Sequence, residues 1–135
     1  MVAENVVIIP DILVTYVAGE REKPISEQAP SAFDKLEREL KGLKGRHFYG
    51  AVVDGEYRAC VALRPEDDRK DLPHPTWTIP GGKYVRRKLA DWDQHREMIG
   101  PSMMRMRERR DFDPSRPCVE YYRSQRELLL MVPVL

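Results

Sequence analysis

A chain of 135 residues, 41% hydrophobic and 33% charged, is long enough to bury a core as one domain without disulfide staples. Its 23 basic and 22 acidic residues leave a net charge of +1, so no overall field favours nucleic acid, and no apolar run reaches membrane-spanning length. Two cysteines are too few for a disulfide framework or a metal knuckle, and no basic stretch precedes the first apolar residues as in a signal peptide; the expectation is a cytoplasmic protein.

In chain order, Val6–Ile9 and Ile12–Val17 are β-branched runs around Pro10-Asp11 and predict one kinked strand or two short ones. Gly19–Ala29 is polar, carries Pro24 and predicts a loop. Ser31 is the expected N-cap of a helix whose apolar face is Phe33, Leu36, Leu40 and Leu43, with Gly42 and Gly45 as stop signals. His47–Val53 and Glu56–Leu63 flank Asp54-Gly55, a strong hairpin signal. The charged, proline-rich stretch Pro65–Pro75 divides the chain. Trp77–Pro80 echoes Ile8-Ile9-Pro10 and leads into a strand over Lys83–Leu89. Trp92, Ile99, Met103 and Met106 share a helical face, which Gly100-Pro101 should break or kink. Asp113–Pro117 predicts a loop, and Cys118–Arg123 with Leu128–Val134 a closing hairpin, its last strand apolar enough to lie centrally.

These elements describe one unit written twice. Shifted by 71 residues, Pro30–Leu63 shares six of 34 positions with its counterpart: Pro30/Pro101, Ser31/Ser102, Glu37/Glu108, Arg38/Arg109, Glu56/Glu127 and Val61/Val132. The expected organisation is a single domain, 1–135, with a first repeat 1–64, a linker 65–75 and a second repeat 76–135. Its fold class is α+β: duplicated β-α-β-β units in a mainly antiparallel sheet, two helices on one face, pseudo-two-fold symmetric. Helices on one face leave the other for a concave pocket.

Glu120 is the residue with chemistry to offer, because it interrupts an apolar and aromatic strand, Cys118–Tyr122. Alternation groups Cys118, Glu120 and Tyr122. A gapless repeat matches Val119 with Phe48 and Glu120 with Tyr49. If Val119 and Phe48 meet the helices, Glu120 and Tyr49 look into the open face. A carboxylate among rings attracts an aromatic cation when ionised, and serves as general acid or base when partly desolvated. The competing reading is a wet strand face with no role. The expected ligand-binding set is Tyr16, Tyr49, Trp92, His95, Cys118, Glu120 and Tyr122, with Glu120 and Tyr122 as the catalytic pair if there is turnover. Trp92 enters because it stands in the polar segment Ala90–Gln94, and His95 because it is close by. His47, His74 and His95 lack ligand spacing, so no metal is expected. Gly81-Gly82 leads into a strand rather than a helix, so no phosphate loop is expected either, and no cofactor.

The residues Cys118-Val119-Glu120-Tyr121-Tyr122 with Leu129–Val134, and the entry Ile79-Pro80-Gly81-Gly82-Lys83-Tyr84, resemble the GyrI-like small-molecule-binding superfamily over essentially the whole chain. That superfamily includes the effector-binding domains of AraC- and MerR-type multidrug regulators and stand-alone gyrase inhibitory proteins; the SOUL haem-binding fold is related. The resemblance implies that Glu120 lies at the base of a ligand pocket. It also implies two activities: multidrug or toxin binding, and hydrolysis of cyclopropane-bearing genotoxins. The sequence departs from the family where many members carry a basic-Gly-Pro-Tyr-like stretch, reading Gly19–Glu22 and Ala90–Asp93 instead. The leading expectation is a stand-alone binder of a bulky amphipathic or cationic small molecule, a toxin-resistance protein, without direct nucleic-acid or membrane binding. A cyclopropanoid hydrolase using Glu120 is the alternative. A protein partner such as DNA gyrase rests on analogy alone.

Overall fold

The computed structural model describes residues 4–40, 42–67, 70, 72 and 74–135. Among them the elements run β1 (Glu4–Ile9), β2 (Ile12–Ala18), α1 (Ile25–Arg38), β3 (Phe48–Val53), β4 (Glu56–Ala62), β5 (Thr76–Ile79), β6 (Gly82–Ala90), α2 (Ile99–Met106), β7 (Val119–Tyr122) and β8 (Glu127–Pro133). Two 3₁₀ turns, Trp92–Gln94 and Arg96–Met98, precede α2. The class is α+β, a mainly antiparallel sheet with two helices. No helix among the described residues is long and apolar enough to cross a membrane.

The chain forms two compact units, Ile12–Ile79 and Met1–Asp11 with Pro80–Leu135. The strand β5 belongs to the first unit, where it pairs with β2 (Ile12↔Ile79). In the second unit β1 takes the corresponding edge, pairing with β6 (Ile9↔Gly82).

In the first unit the strand order is β3-β4-β2-β5. The Asp54-Gly55 turn has both residues at positive φ (51° and 79°), the type I′ geometry that matches strand twist. α1 differs from its expected start. It begins at Ile25 behind Pro24, carries Pro30 inside it, and uses Ser31 mid-helix, where its hydroxyl donates to Gln28 O. The early start is fixed by Gln28, which is buried, accepts from Tyr57 N (3.0 Å) and donates to Lys23 O (2.8 Å). Leu36 is buried, with Phe33, Leu40 and Phe48 packed around a core of Val17, Ala32, Tyr57, Ala59 and Val61. The helix ends at Arg38, before either glycine, and Leu43 is exposed.

In the second unit β8 lies between β6 and β7, and Leu128–Val132 are all buried, as their composition predicts. α2 starts at Ile99, so Pro101 falls in its first turn, where no helical N–H is missed, and the helix runs through. Trp92, Ile99 and Met103 still share one cluster with Met106, although Trp92 reaches it from a 3₁₀ turn. The Ile79–Tyr84 motif serves as a joint here. Tyr84's hydroxyl donates to Pro80 O (2.6 Å), Gly81 N donates to the Asp11 carboxylate (2.6 Å), and Arg116 stacks on Tyr84 while donating to Val134 O (2.8 Å).

On the faces turned away from the helices, Val14, Ala51 and Cys60 in the first unit and Tyr84, Val119, Leu129 and Met131 in the second are buried, while Tyr16, Tyr49, Arg58 and Tyr121 are half-buried. One expectation about faces is corrected: the closing hairpin does not copy the first one without a gap. Ser124 and Glu127 exchange backbone hydrogen bonds (3.2 and 3.4 Å), just as Val53 stands opposite Glu56, but Tyr122 then stands opposite Leu128. Arg123 is the extra residue, a bulge whose N–H turns back to Tyr121 O (3.1 Å). Beyond it every side chain of β7 changes face. Phe48 meets α1 as expected, whereas Val119 faces away from α2 and Glu120 faces towards it.

Candidate functional site

Directly opposed residues of an antiparallel pair share a face. Glu120 is opposite Leu130 and Tyr122 opposite Leu128, and both leucines pack with Met106 of α2. Cys118, two residues before Glu120, belongs to the same cluster, as does Trp92. The bulge therefore places Cys118, Glu120 and Tyr122 on the helix-bearing face beside Trp92.

The contacts form a chain. Tyr122's hydroxyl donates to Glu120 Oε1 (2.8 Å). The Tyr122 and Trp92 rings meet edge to face, centroids 5.0 Å apart. Trp92 Nε1 donates to Ser124 O in the hairpin turn (2.8 Å), and Arg96 stands over the indole at 5.4 Å. The turn is tied by Ser124 Oγ, which accepts from Arg126 N and Glu127 N, both at 3.1 Å. The phenol and indole donors are thus engaged inside the protein. What the cluster presents is a half-buried carboxylate and ring surface, a combination that suits a cation with an apolar body.

Burial pushes the Cys118 thiol up to about 11, with the nearby Glu120 carboxylate adding to the rise and Arg107 opposing it. Cys118 is therefore a neutral packing group at physiological pH. Its alkylation by iodoacetamide, followed by mass spectrometry, should be slow at neutral pH and accelerate with each step towards pH 11. Glu120→Gln removes a raising charge, so the same alkylation should run faster in mildly alkaline buffer; an unchanged rate would separate the two side chains.

Of the other expected site residues, Tyr16 and Tyr49 belong to the first unit and His95 to the second. Tyr16 and Tyr49 both stand opposite Cys60, on the face of the first unit turned away from α1. There Tyr16 meets Trp77 edge-on (6.3 Å), and Arg58 lies over both rings at 4.5 and 4.7 Å. His95 sits exposed between the 3₁₀ turns, Nδ1 3.8 Å from Glu97. The sequence reading missed Asp91, Ser124 and Arg96. Asp91 left one visible sign, its place in Ala90–Asp93, where the sequence departs from the GyrI-like pattern it resembles. Among the described residues no group of three His, Cys, Asp or Glu could hold a metal ion.

No family model matches the sequence, and no curated protein is similar to it. Solved structures share its fold. An integron cassette protein of Vibrio cholerae is 16% identical, with 98% of this chain and 95% of that one covered, at a TM-score of 0.72. SAV2435, solved with tetraphenylphosphonium bound, is 13% identical over 98% and 94% of the chains (TM-score 0.58). A hydrolase from Listeria innocua is 12% identical over 98% and 91% (TM-score 0.50). At such identities the likeness is one of fold, and in SAV2435 that fold carries a bound small molecule.

Proposed function

We propose that the chain is a stand-alone small-molecule-binding protein of the GyrI-like type, related to multidrug effector-binding domains and taking a bulky amphipathic or cationic drug or toxin. The observation that carries this reading is the Glu120 carboxylate, held by Tyr122 and flanked by Trp92 on the α2 face. SAV2435, similar in fold, binds a bulky aromatic cation, which supports the same ligand class. Titration calorimetry with tetraphenylphosphonium tests it. Glu120→Gln keeps shape and an oxygen to accept from Tyr122 but loses the charge, so affinity should fall by about 1–3 kcal/mol, roughly 5- to 150-fold. Equal affinity in native and variant proteins, both folded, would remove Glu120 from the site.

A second reading is favoured by the Listeria hydrolase of the same fold and by the direct Tyr122–Glu120 contact. Glu120 would then activate water or protonate a leaving group on an electrophilic, cyclopropane-bearing substrate, with Tyr122 orienting it. Incubation with such a compound and detection of a hydrated product by mass decides between the two. Turnover by the native protein and none by Glu120→Gln supports hydrolysis; a compound recovered intact leaves binding alone.

A further inference from the structure

Asp91 stands where the second unit departs from the first. β2 ends in a closing bond from Gly19 N to Tyr57 O (2.8 Å), and a loop follows. β6 runs longer, to Ala90, and closes with Asp91 N to Arg126 O (2.7 Å). At that point the chain takes φ 52° and ψ 42°, a left-handed conformation, at a residue that is not glycine. L side chains enter this region at a cost, which aspartate and asparagine bear best and β-branched residues worst.

The consequence of the turn is the placement of Trp92. One residue after β6 the chain reverses into a 3₁₀ turn, and the indole lies back over the bulged end of the β7–β8 hairpin. There it bonds Ser124 O and meets the Tyr122 ring, whose hydroxyl holds Glu120. Straightening the turn at 91 would move the indole away from Ser124 and remove the ring edge that fixes the phenol.

We propose that Asp91 is the positioning residue of the Glu120 site: its left-handed turn, pinned to Arg126, sets Trp92 against Tyr122 so that the phenol keeps the carboxylate aimed. Strain of this kind persists only where surrounding contacts enforce it, and here two hydrogen bonds and a ring pair do so. Asp91 itself touches no ligand and acts through Trp92. The ligand part rests on the binding function proposed above.

The test compares native protein with Asp91→Asn, Asp91→Val and Asp91→Ala, with far-ultraviolet circular dichroism to confirm folding. Near-ultraviolet circular dichroism reads the Trp92–Tyr122 pair, with Trp92→Phe supplying the baseline, and calorimetry reads tetraphenylphosphonium affinity. Asparagine tolerates the left-handed region, so Asp91→Asn should keep the ring signature and bind within about twofold of native. Asp91→Val should lose the Trp92 signature and bind about tenfold more weakly, with Asp91→Ala between. If the valine variant fails to fold, the alanine variant carries the comparison. Retention of signature and affinity in the folded valine or alanine variant overturns the proposal, as does loss of the signature with affinity intact. If the native protein binds no tetraphenylphosphonium, the binding function fails, and the ring signature alone decides whether Asp91 sets Trp92.

Discussion

Asp67→Asn is expected to destabilise the protein by about 3–5 kcal/mol, seen as a lower urea midpoint at unchanged slope. Asp67 and Arg46 form a two-point ion pair (2.8 and 2.7 Å) in which each side chain is only 7% exposed. The same carboxylate accepts from Arg64 N (2.7 Å), so it ties the approach to β3 to the exit from β4, at the base of the first hairpin. Removing its charge strands the Arg46 guanidinium, whose Nε already has no acceptor among the described residues. The hydrogen bond from Arg46 is the main reason that Asp67 titrates below its ordinary value of about 3.8, with the Arg64 backbone bond helping and burial opposing. Because the folded value is the lower one, the contribution is complete above about pH 3.8 and is lost as pH falls through the folded value. The variant should therefore show a flatter acid limb as well as a lower plateau. Apolar replacement of both partners should recover much of the loss, since neither charge is then left buried. A native-like urea midpoint for Asp67→Asn would show that the pair is solvated.

The strand content was legible because its signals are local. Asp54-Gly55 gives a type I′ turn wherever it falls between alternating strands, and Leu128–Val132 is too apolar to lie anywhere but centrally. The start of α1 was hidden because its anchor, Gln28, is polar in sequence and satisfied only by the distant Tyr57 backbone. For the candidate site, the composition of Cys118–Tyr122 singles out the strand β7. Its direction depended on the one-residue bulge at Arg123, which leaves residue identities unchanged while reversing every face beyond it. That bulge also explains why Glu120 joined Tyr122 and Trp92 on the α2 face rather than occupying the position Tyr49 holds in its own unit. Asp91 shows in the sequence only as part of the Ala90–Asp93 departure, and its left-handed conformation not at all, because that is a property of the turn that surrounds it.

The second large effect is expected at Gly81. A methyl group there would lie 2.6 Å from each of Asp11 N, Ile9 O and Pro10 C, all backbone atoms. No side-chain rotation relieves such contacts, so the link between β1 and β2 would have to move as a whole. Moving it breaks the bond from Gly81 N to the Asp11 carboxylate and disturbs the neighbouring Ile9↔Gly82 pair. Overpacking against flexible side chains costs about 1–3 kcal/mol, and a rigid backbone neighbour puts Gly81→Ala at about 3 kcal/mol or more. Since β1 pairs with β6 through six residues, Glu4 to Ile9, amide exchange should rise first along that ladder. Gly100→Ala is the control: among the described residues nothing beyond its chain neighbours and its own helix backbone lies within 4 Å of the added methyl, and it sits in α2, so stability should rise by about 0.5–1 kcal/mol. Thermal unfolding of the two variants side by side separates a steric joint from a generic loss of glycine. Gly81→Ala melting at or above the native temperature would mean that the two links, Pro10-Asp11 and Pro80-Gly81, do not touch in solution.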